Sequence, residues 1–211
     1  TPIKLNGVYA FNEQGDFKNL SGVVKHDSLY WKAKRNDQFL YFVFEDKTEQ
    51  RVKRAAPGGD GWVLDHFSKK GTENYLSTFS KKLDGLNGKI RAIFNDSYEV
   101  YGADYTLDFF NSFVKYRGYD LKPYLNRLFE DDNEISNRIR GDYRATLSDL
   151  LTQEFTTSWK RWSSRLGVKT KFQAHGSPGN LIDLYASADI PECETFGSMP
   201  YNIKGFRRIP G

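Results

Sequence analysis

The spacing of apolar residues changes part-way along the chain, and this change restricts the possible folds. Up to about residue 45, short runs rich in aromatic and β-branched residues, such as residues 7–11 and 39–44, are separated by turn residues. From about residue 66 onward, apolar residues recur at helical spacing, and short apolar runs separate the helices. Alternating strands and helices are typical of a parallel sheet with crossover helices. We therefore predict an α/β fold in which a small antiparallel β subdomain precedes a parallel sheet.

The predicted parallel sheet has fewer strands than a closed barrel. Strands are predicted at residues 62–64, 90–94, 168–173 and 189–191, and helices at about 66–85, 107–116, 133–166 and 181–186. Because a (β/α)8 TIM-type barrel has eight strands, these four predict only part of such a barrel. We assign residues 1–50 to the antiparallel subdomain and residues 51–211 to an incomplete barrel. The remaining domains of a longer parent chain are then expected to complete it.

Charge and motifs exclude several function classes. The net charge is +4 and the densest basic run, residues 50–54, is short, so nucleic acid is not an expected partner. No run approaches about 20 apolar residues, so no membrane span is expected. No strand is followed by Gly-x-Gly-x-x-Gly or by a phosphate-binding loop, and both Gly-x-Ser-x-Gly and His-Glu-x-x-His are absent. The sequence therefore disfavours nucleotide binding, acyl transfer and zinc hydrolysis.

Acidic, amide or imidazole side chains follow every predicted strand. In order along the chain they are Asp65, His66, Asn95, Asp96, Glu99, Gln173, His175, Glu192 and Glu194. In a parallel barrel the C-terminal ends of the strands meet at one rim, where active sites lie. Carboxylates gathered at such a rim favour either general acid/base chemistry or cation binding.

Paired carboxyl groups suit the cleavage of a glycosidic bond. One carboxyl protonates the leaving oxygen, and the other activates water or attacks carbon. Glu99 follows a different strand from Glu192 and Glu194, so these side chains can face each other across a sugar. For any one of them, a surface salt bridge is the plainer interpretation. That interpretation weakens because all four strand ends are polar.

Several other candidates have equally plain structural interpretations. Asp65 suits a helix cap as well as a sugar contact. His66 suits packing at a helix start. Arg54 suits pairing with a carboxylate of the barrel, and Asn95 and Gln173 suit pairing with buried backbone groups.

Aromatic residues make up 16% of the chain. Such rings fill cores and also form flat walls against which sugars lie, and composition alone does not separate the two uses. We expect Trp62 and Tyr98 to lie in the core. Trp159 and Trp162, on the predicted long helix, are expected to serve packing.

The motifs that follow the predicted strands resemble one family as a set. They are residues 54–68 (RAAPGGDGWVLDHFS), 94–102 (FNDSYEVYG), 119–121 (YDL) and 173–181 (QAHGSPGNL), followed by 189–194 (DIPECE). Together they resemble glycoside hydrolase family 106, the α-L-rhamnosidases, over most of residues 45–197. Cys193 and Thr195 depart from the family pattern beside the proposed catalytic residues.

The resemblance implies an inverting α-L-rhamnosidase that releases terminal rhamnose from plant polysaccharide or glycoside, in the periplasm or outside the cell. By motif, Glu99 is assigned as the general acid and Glu194, ahead of Glu192, as the general base. Sugar binding is assigned to Arg54, Asp65, His66, Asn95, Asp96, Gln173 and His175. The resemblance also implies a calcium ion near the sugar, with Glu192 and Asp96 as candidate ligands.

Two alternative functions stay open at this point. One is a glycosidase of the same architecture acting on another sugar, such as a β-galactoside. The other is a noncatalytic carbohydrate-binding module, which the β-rich start and the abundant aromatic residues also fit. Since the 211 residues are expected to be part of a longer enzyme, weak activity or none is expected of them alone.

Overall fold

Strands and helices alternate through most of the chain. The structure is a computed structural model and describes residues 3–33, 38–86, 88–130 and 132–193. In chain order its strands are β1 (Lys4–Asn12), β2 (Phe17–Asn19), β3 (Val24–Lys25), β4 (Ser28–Leu29), β5 (Gln38–Glu45), β6 (Ala92–Asn95), β7 (Lys169–Phe172) and β8 (Ile190–Pro191). Its α-helices are α1 (Lys69–Leu83), α2 (Phe109–Arg117), α3 (Glu134–Leu150), α4 (Thr157–Arg165) and α5 (Leu181–Ser187), with 3-10 turns at Ser21–Val23 and Lys122–Leu128.

The chain divides into two compact units. The first comprises residues 1–48 and 107–143, and the second comprises residues 49–106 and 144–211. The first unit thus combines the antiparallel β structure with a later helical stretch. The assignment of residues 51–211 to a catalytic barrel stays a prediction.

The first unit contains the predicted antiparallel sheet. β1 lies in its centre and pairs antiparallel with β2 and with β5. Val8, Ala10 and Leu20 are buried together in its core. β3 and β4 form a separate hairpin whose two turn residues, His26 and Asp27, have positive φ, as tight two-residue hairpins require. The small antiparallel sheet predicted near the start of the chain is therefore confirmed.

The second unit contains a parallel sheet in the order β6–β7–β8. Asn95 of β6 pairs with Phe172 of β7, and Phe172 pairs with Pro191 of β8. Phe155 and Trp159 pack against Phe172, with ring centroids 6.2 and 5.8 Å from it. The three strands therefore end at one edge of the sheet, and a helical layer covers the ring of Phe172.

The predicted long helix over residues 133–166 is confirmed. It consists of α3, a π-helical segment at Leu151–Thr156, and α4. Within the π-helical segment the carbonyl of Thr152 accepts hydrogen bonds from the hydroxyls of Thr156 (2.7 Å) and Thr157 (2.8 Å). Such side-chain bonds compete with the regular helical ladder, which is consistent with the locally wider turn. Trp159 is buried on this helix, as expected.

The predicted parallel strand at residues 62–64 is wrong. Trp62 instead forms an isolated antiparallel bridge with Arg51. The Val63 N–H donates to the Gln50 carbonyl, and the Val52 N–H donates to the Gly61 carbonyl. The glycine-rich turn at residues 58–61 reverses the chain, so local pairing replaces pairing with a distant strand. Within the described residues the parallel sheet has three strands, and a barrel stays a prediction.

None of the helices in the described part of the chain combines the length and the apolar character that crossing a membrane requires.

Candidate functional site

A cavity of about 810 Å³ lies within the second unit. Its lining comes from residues 50–66, from the segment after β6 and from the segment after β7, with Tyr75 and Phe155 from two helices. Among the lining residues are Arg54, His66, Asn95, Asp96, Glu99 and His175. Six of the candidate site residues chosen from the sequence therefore line the same cavity. Its volume lies in the range of small-molecule pockets.

The segments after β6 and β7 meet because the two strands are parallel neighbours. The Gln173 N–H donates to the Asn95 carbonyl at 3.0 Å, and the Tyr98 N–H donates to the His175 carbonyl at 2.8 Å. Gly176 has a φ of +80°, and a Cβ there would lie 2.6 Å from the Tyr98 carbonyl oxygen. Only glycine allows this close approach without a shift of the backbone.

Glu99 lines the cavity, and its carboxylate is paired with a cation. Lys53 Nζ lies 3.0 Å from Glu99 Oε2. The main chain on both sides of Val100 is bound to Gln50, whose amide donates to the Glu99 carbonyl and accepts from the Tyr101 N–H. Residues 50–53 therefore hold both the side chain and the backbone of Glu99.

Aromatic residues surround His66 in the cavity. Its ring centroid lies 5.1 Å from that of Tyr98 and 4.6 Å from that of Phe155. Burial lowers the pKa of His66 to about 4, although the Leu64 backbone partly opposes this shift. His66 is therefore a neutral imidazole at neutral pH. Burial also raises the pKa of Tyr98.

Asp65 serves the turn before α1 and is not part of the cavity wall. Its Oδ1 accepts from the Phe67 N–H at 3.0 Å, and its Oδ2 accepts from the Thr106 hydroxyl at 2.7 Å. Burial raises the pKa of Asp65, and these hydrogen bonds oppose the rise. The helix cap itself is Ser68, whose hydroxyl accepts from the Gly71 N–H. This geometry favours a local structural role for Asp65.

Glu192 and Gln173 lie where β8 and β7 end, and neither lines the cavity. Glu192 Oε1 accepts from Gln173 Nε2 at 2.9 Å, and Glu192 Oε2 forms an ion pair with Lys171. The Lys171 ammonium, with help from Gln173, holds the pKa of Glu192 below its usual value. Both carboxylate oxygens of Glu192 therefore already have partners. Glu194 lies outside the described residues.

Comparison with known proteins identifies the family. A family model described as alpha-L-rhamnosidase, that of glycoside hydrolase family 106, matches residues 15–200. The chain belongs to glycoside hydrolase family 106. The resemblance in the strand-end motifs is thereby confirmed.

Two relatives of this family 106 chain show how much of a longer protein it spans. A protein of Formosa agariphila, provisionally named a beta-glucuronidase, is 28% identical over 182 residues, which are 82% of this chain and 16% of the relative. The solved structure of a rhamnosidase from Novosphingobium sp. PP1Y matches with a TM-score of 0.72 and 24% identity, over 87% of this chain and 19% of the other. This second likeness shows the fold. The chain thus spans less than a fifth of either protein.

The calcium ion implied by the family 106 resemblance can be tested against the acidic residues. Calcium takes about six to eight oxygen ligands, mostly from carboxylates, carbonyls and water. Within the described ranges no three His, Cys, Asp or Glu side chains are grouped as metal ligands. Both oxygens of Glu192 are bound, and Asp96 Oδ1 accepts from the Ser97 N–H at 2.9 Å. A calcium ion at Asp96 or Glu192 would therefore need further oxygen ligands, such as backbone carbonyls or water.

Some residues of the family 106 cavity were not foreseen. Gln50, Lys53 and Tyr101 line it without having been candidates. Trp62 lines it with 53% of its surface exposed, so its expected core position is wrong, whereas Tyr98 is buried as expected. The sequence feature that could have identified Lys53 and Tyr101 is their position near the family motifs. Lys53 immediately precedes the first motif, and Tyr101 lies within the second.

Proposed function

We propose that this chain carries part of the active site of a glycoside hydrolase that releases terminal α-L-rhamnose from plant polysaccharide or glycoside. The observation that supports it is the carboxylate of Glu99 in a cavity walled by polar and exposed aromatic side chains. General acid catalysis requires a carboxyl group within hydrogen-bond reach of the leaving oxygen. An aromatic and polar cavity of this size fits a sugar unit.

The protonated form of Glu99, which does not form the ion pair with Lys53, is proposed to donate the proton to the leaving oxygen. A second carboxylate then activates water on the opposite face of the sugar, which inverts the anomeric carbon. Glu194 is the preferred base by motif, and Glu192 does not line the cavity that Glu99 lines. At the end of the step Glu99 is deprotonated and the base carries the proton taken from water. Exchange with solvent returns a proton to Glu99 and removes one from the base, which restores both groups for the next cycle.

The cavity offers two kinds of contact to a sugar. Trp62 and Tyr101 line the cavity with more than half of their surface exposed, and aromatic rings suit the apolar face of a pyranose. Asn95 and Asp96 present an amide and a carboxylate to hydroxyl groups. His66 is neutral and one of its ring nitrogens is bound to the Leu64 backbone, so the other, Nδ1, is left as a hydrogen-bond acceptor.

Glu99→Gln in the full-length protein tests the proposal. The variant should lose about 10²–10⁴-fold in kcat on a nitrophenyl α-L-rhamnoside, because it cannot donate a proton as an acid. Its rhamnose affinity, measured by calorimetry, should stay near the original value. Glu73→Gln, at an exposed position of α1, is the matched control and should keep full activity. Undiminished turnover by Glu99→Gln would remove Glu99 from the mechanism, and binding without turnover in the original protein would favour a carbohydrate-binding module.

A second candidate substrate is a glycoside of a uronic acid. Lys53 and Arg54 both line the cavity, and a guanidinium pairs well with a carboxylate. The Formosa agariphila relative is provisionally named a beta-glucuronidase. Parallel assays with nitrophenyl α-L-rhamnoside and nitrophenyl β-D-glucuronide distinguish the two. If the uronide is the substrate, Arg54→Gln should raise its KM more than it raises that of a neutral glycoside.

The family resemblance alone carries two further proposals. They are a periplasmic or extracellular location and a calcium ion near the sugar. Cell fractionation checks the first. Calorimetric titration of the chelator-treated full-length protein with calcium chloride checks the second, and absence of heat would contradict it.

A further inference from the structure

The segment that carries Glu99 has no regular secondary structure of its own. Residues 96–101, which follow β6, belong to neither helix nor strand. Their backbone N–H and C=O groups therefore find no partners within the segment, and any that is buried without a partner is costly. The His175 carbonyl binds the Tyr98 N–H on one side of Glu99. A second partner acts on the other side.

That second partner is the side chain of Gln50. Its Nε2 donates to the Glu99 carbonyl at 2.5 Å, and its Oε1 accepts from the Tyr101 N–H at 2.8 Å. One carboxamide thus bridges the two backbone groups that flank Val100. The two contacts join positions 49 and 51 residues apart in sequence, so they hold distant parts of the chain together.

Gln50 is itself held in place. Its own carbonyl accepts from the Val63 N–H at 3.0 Å, beside the bridge between Arg51 and Trp62. The carboxamide is therefore anchored to a paired segment of backbone. Through its two hydrogen bonds, the carboxamide can hold the irregular segment around Glu99 in a fixed position.

We propose that Gln50 is a positioning residue that aims Glu99 at the leaving oxygen. Fixing the Glu99 carbonyl fixes a peptide plane and so restricts the direction of the Cα–Cβ bond. The ion pair with Lys53 is too exposed to do this alone, because 64% and 41% of the two side chains are accessible to solvent. A misplacement of about 1 Å in a catalytic group can cost about 100-fold in rate. The inference rests on the proposed role of Glu99 as general acid.

The chemistry of the bridge explains why a glutamine is needed. The amide both donates and accepts, as the Glu99 carbonyl and the Tyr101 N–H require. Glutamate at this position keeps an acceptor but loses the donor, and methionine keeps the length but loses both. Gln50→Met and Gln50→Glu therefore remove the bridge to different degrees with little change in volume. Gln153→Glu, on the exposed face of the π-helical segment, is the matched control.

The test compares two leaving groups in the full-length protein. A dinitrophenyl rhamnoside departs with little acid assistance, whereas a methoxyphenyl rhamnoside depends on it. If Gln50 positions the acid, Gln50→Met should lower kcat about 10–100-fold on the methoxyphenyl substrate. It should lower kcat only slightly on the dinitrophenyl substrate, and KM should change little. Equal losses on both substrates, or no loss, would overturn the proposal.

Amide hydrogen exchange gives an independent readout at the bridge. The Tyr101 N–H should exchange faster in Gln50→Met, because its acceptor is gone, and Gln153→Glu should leave it unchanged. If Gln50→Met fails to fold, Gln50→Glu decides by the same two measurements. Unchanged exchange at Tyr101 would contradict the bridge itself. Loss of activity in Glu99→Gln with full activity in Gln50→Met would reject only the positioning role, whereas full activity in Glu99→Gln would reject the proposed function.

Discussion

Lys53 Nζ lies 3.0 Å from Oε2 and 3.3 Å from Oε1 of Glu99, so the ammonium contacts both oxygens of the proposed acid. The two residues are 46 positions apart in sequence. Their proximity arises because residues 50–53 run past the segment that follows β6. The pair is open to solvent on both sides, which limits what it contributes to folding.

Lys53→Gln should therefore have a small effect on stability. The free energy of unfolding should fall by about 1 kcal/mol or less, since exposed ion pairs contribute little. The difference should shrink further in high salt, which screens the charges. Urea unfolding at low and high ionic strength measures both quantities. A loss well above about 2 kcal/mol would mean that the pair is far better shielded than its exposure indicates.

Gly176→Ala should destabilise the second unit strongly. The new Cβ would lie 2.6 Å from the Tyr98 carbonyl oxygen, and the φ of +80° is unfavourable for alanine. Relief of this clash requires the segments after β6 and β7 to separate, which strains the bond between Tyr98 and His175. We expect a loss of about 2 kcal/mol or more in the free energy of unfolding, measured by urea denaturation.

Gly85→Ala separates the two causes of that loss. Gly85 has a similar φ of +75°, but among the described residues, apart from its two chain neighbours, no atom lies within 4 Å of the Cβ position. Alanine there should cost only about 1 kcal/mol, from the backbone conformation alone. Equal losses at the two sites would show that the close approach at Gly176 is unimportant.

Local patterns in the sequence were sufficient to predict most of the secondary structure. The helical spacing of Tyr143, Leu147 and Leu151 identified the long helix because one of its faces is buried. The same reasoning failed at Trp62, where a short apolar run can pair locally or with a distant strand. Periodicity does not distinguish these two pairings. The glycine turn before Trp62 decided in favour of the local hairpin.

The candidate site was predicted in part, for a geometric reason. Asn95 ends β6, and Asp96 and His175 follow the neighbouring parallel strands β6 and β7, so strand order alone brings them together. Gln50 and Lys53 reach the cavity from a segment outside the parallel sheet, and no spacing in the sequence reports that approach. Their roles depend on side-chain hydrogen bonds that form only after the chain has folded.

Acid should destabilise the protein through His66. The pKa of this imidazole falls from 6.5 to about 4 on burial, so the folded state resists protonation that the unfolded chain accepts. Stability is therefore fully present above pH 6.5 and is lost as the pH falls from 6.5 towards 4. The loss should be on the order of 2–3 kcal/mol. His66→Gln should remove this part of the pH dependence, which urea unfolding of both proteins across the same pH range measures. If the free energy of unfolding falls equally with pH in the two proteins, the prediction is contradicted.

Trp62→Ala should weaken sugar binding without abolishing it. The indole lines the cavity with 53% of its surface exposed, and its loss should raise the Kd for rhamnose by roughly threefold to tenfold. Trp62→Phe should retain most of the affinity, because a ring face remains. Calorimetry in the Glu99→Gln background avoids turnover during the measurement.

The control for Trp62 must separate stacking from its contact with Arg51. The Arg51 guanidinium lies 5.2 Å from the indole centroid and also pairs with Asp60 at 2.6 Å. Arg51→Gln removes the cation and leaves the ring, so it should not change sugar affinity. Tyr30 is an aromatic residue that is 89% exposed and outside the cavity lining. Tyr30→Ala should likewise leave the sugar affinity unchanged. Weakening by Arg51→Gln as large as that by Trp62→Ala would mean that the cation, rather than the ring face, makes the contact with the sugar.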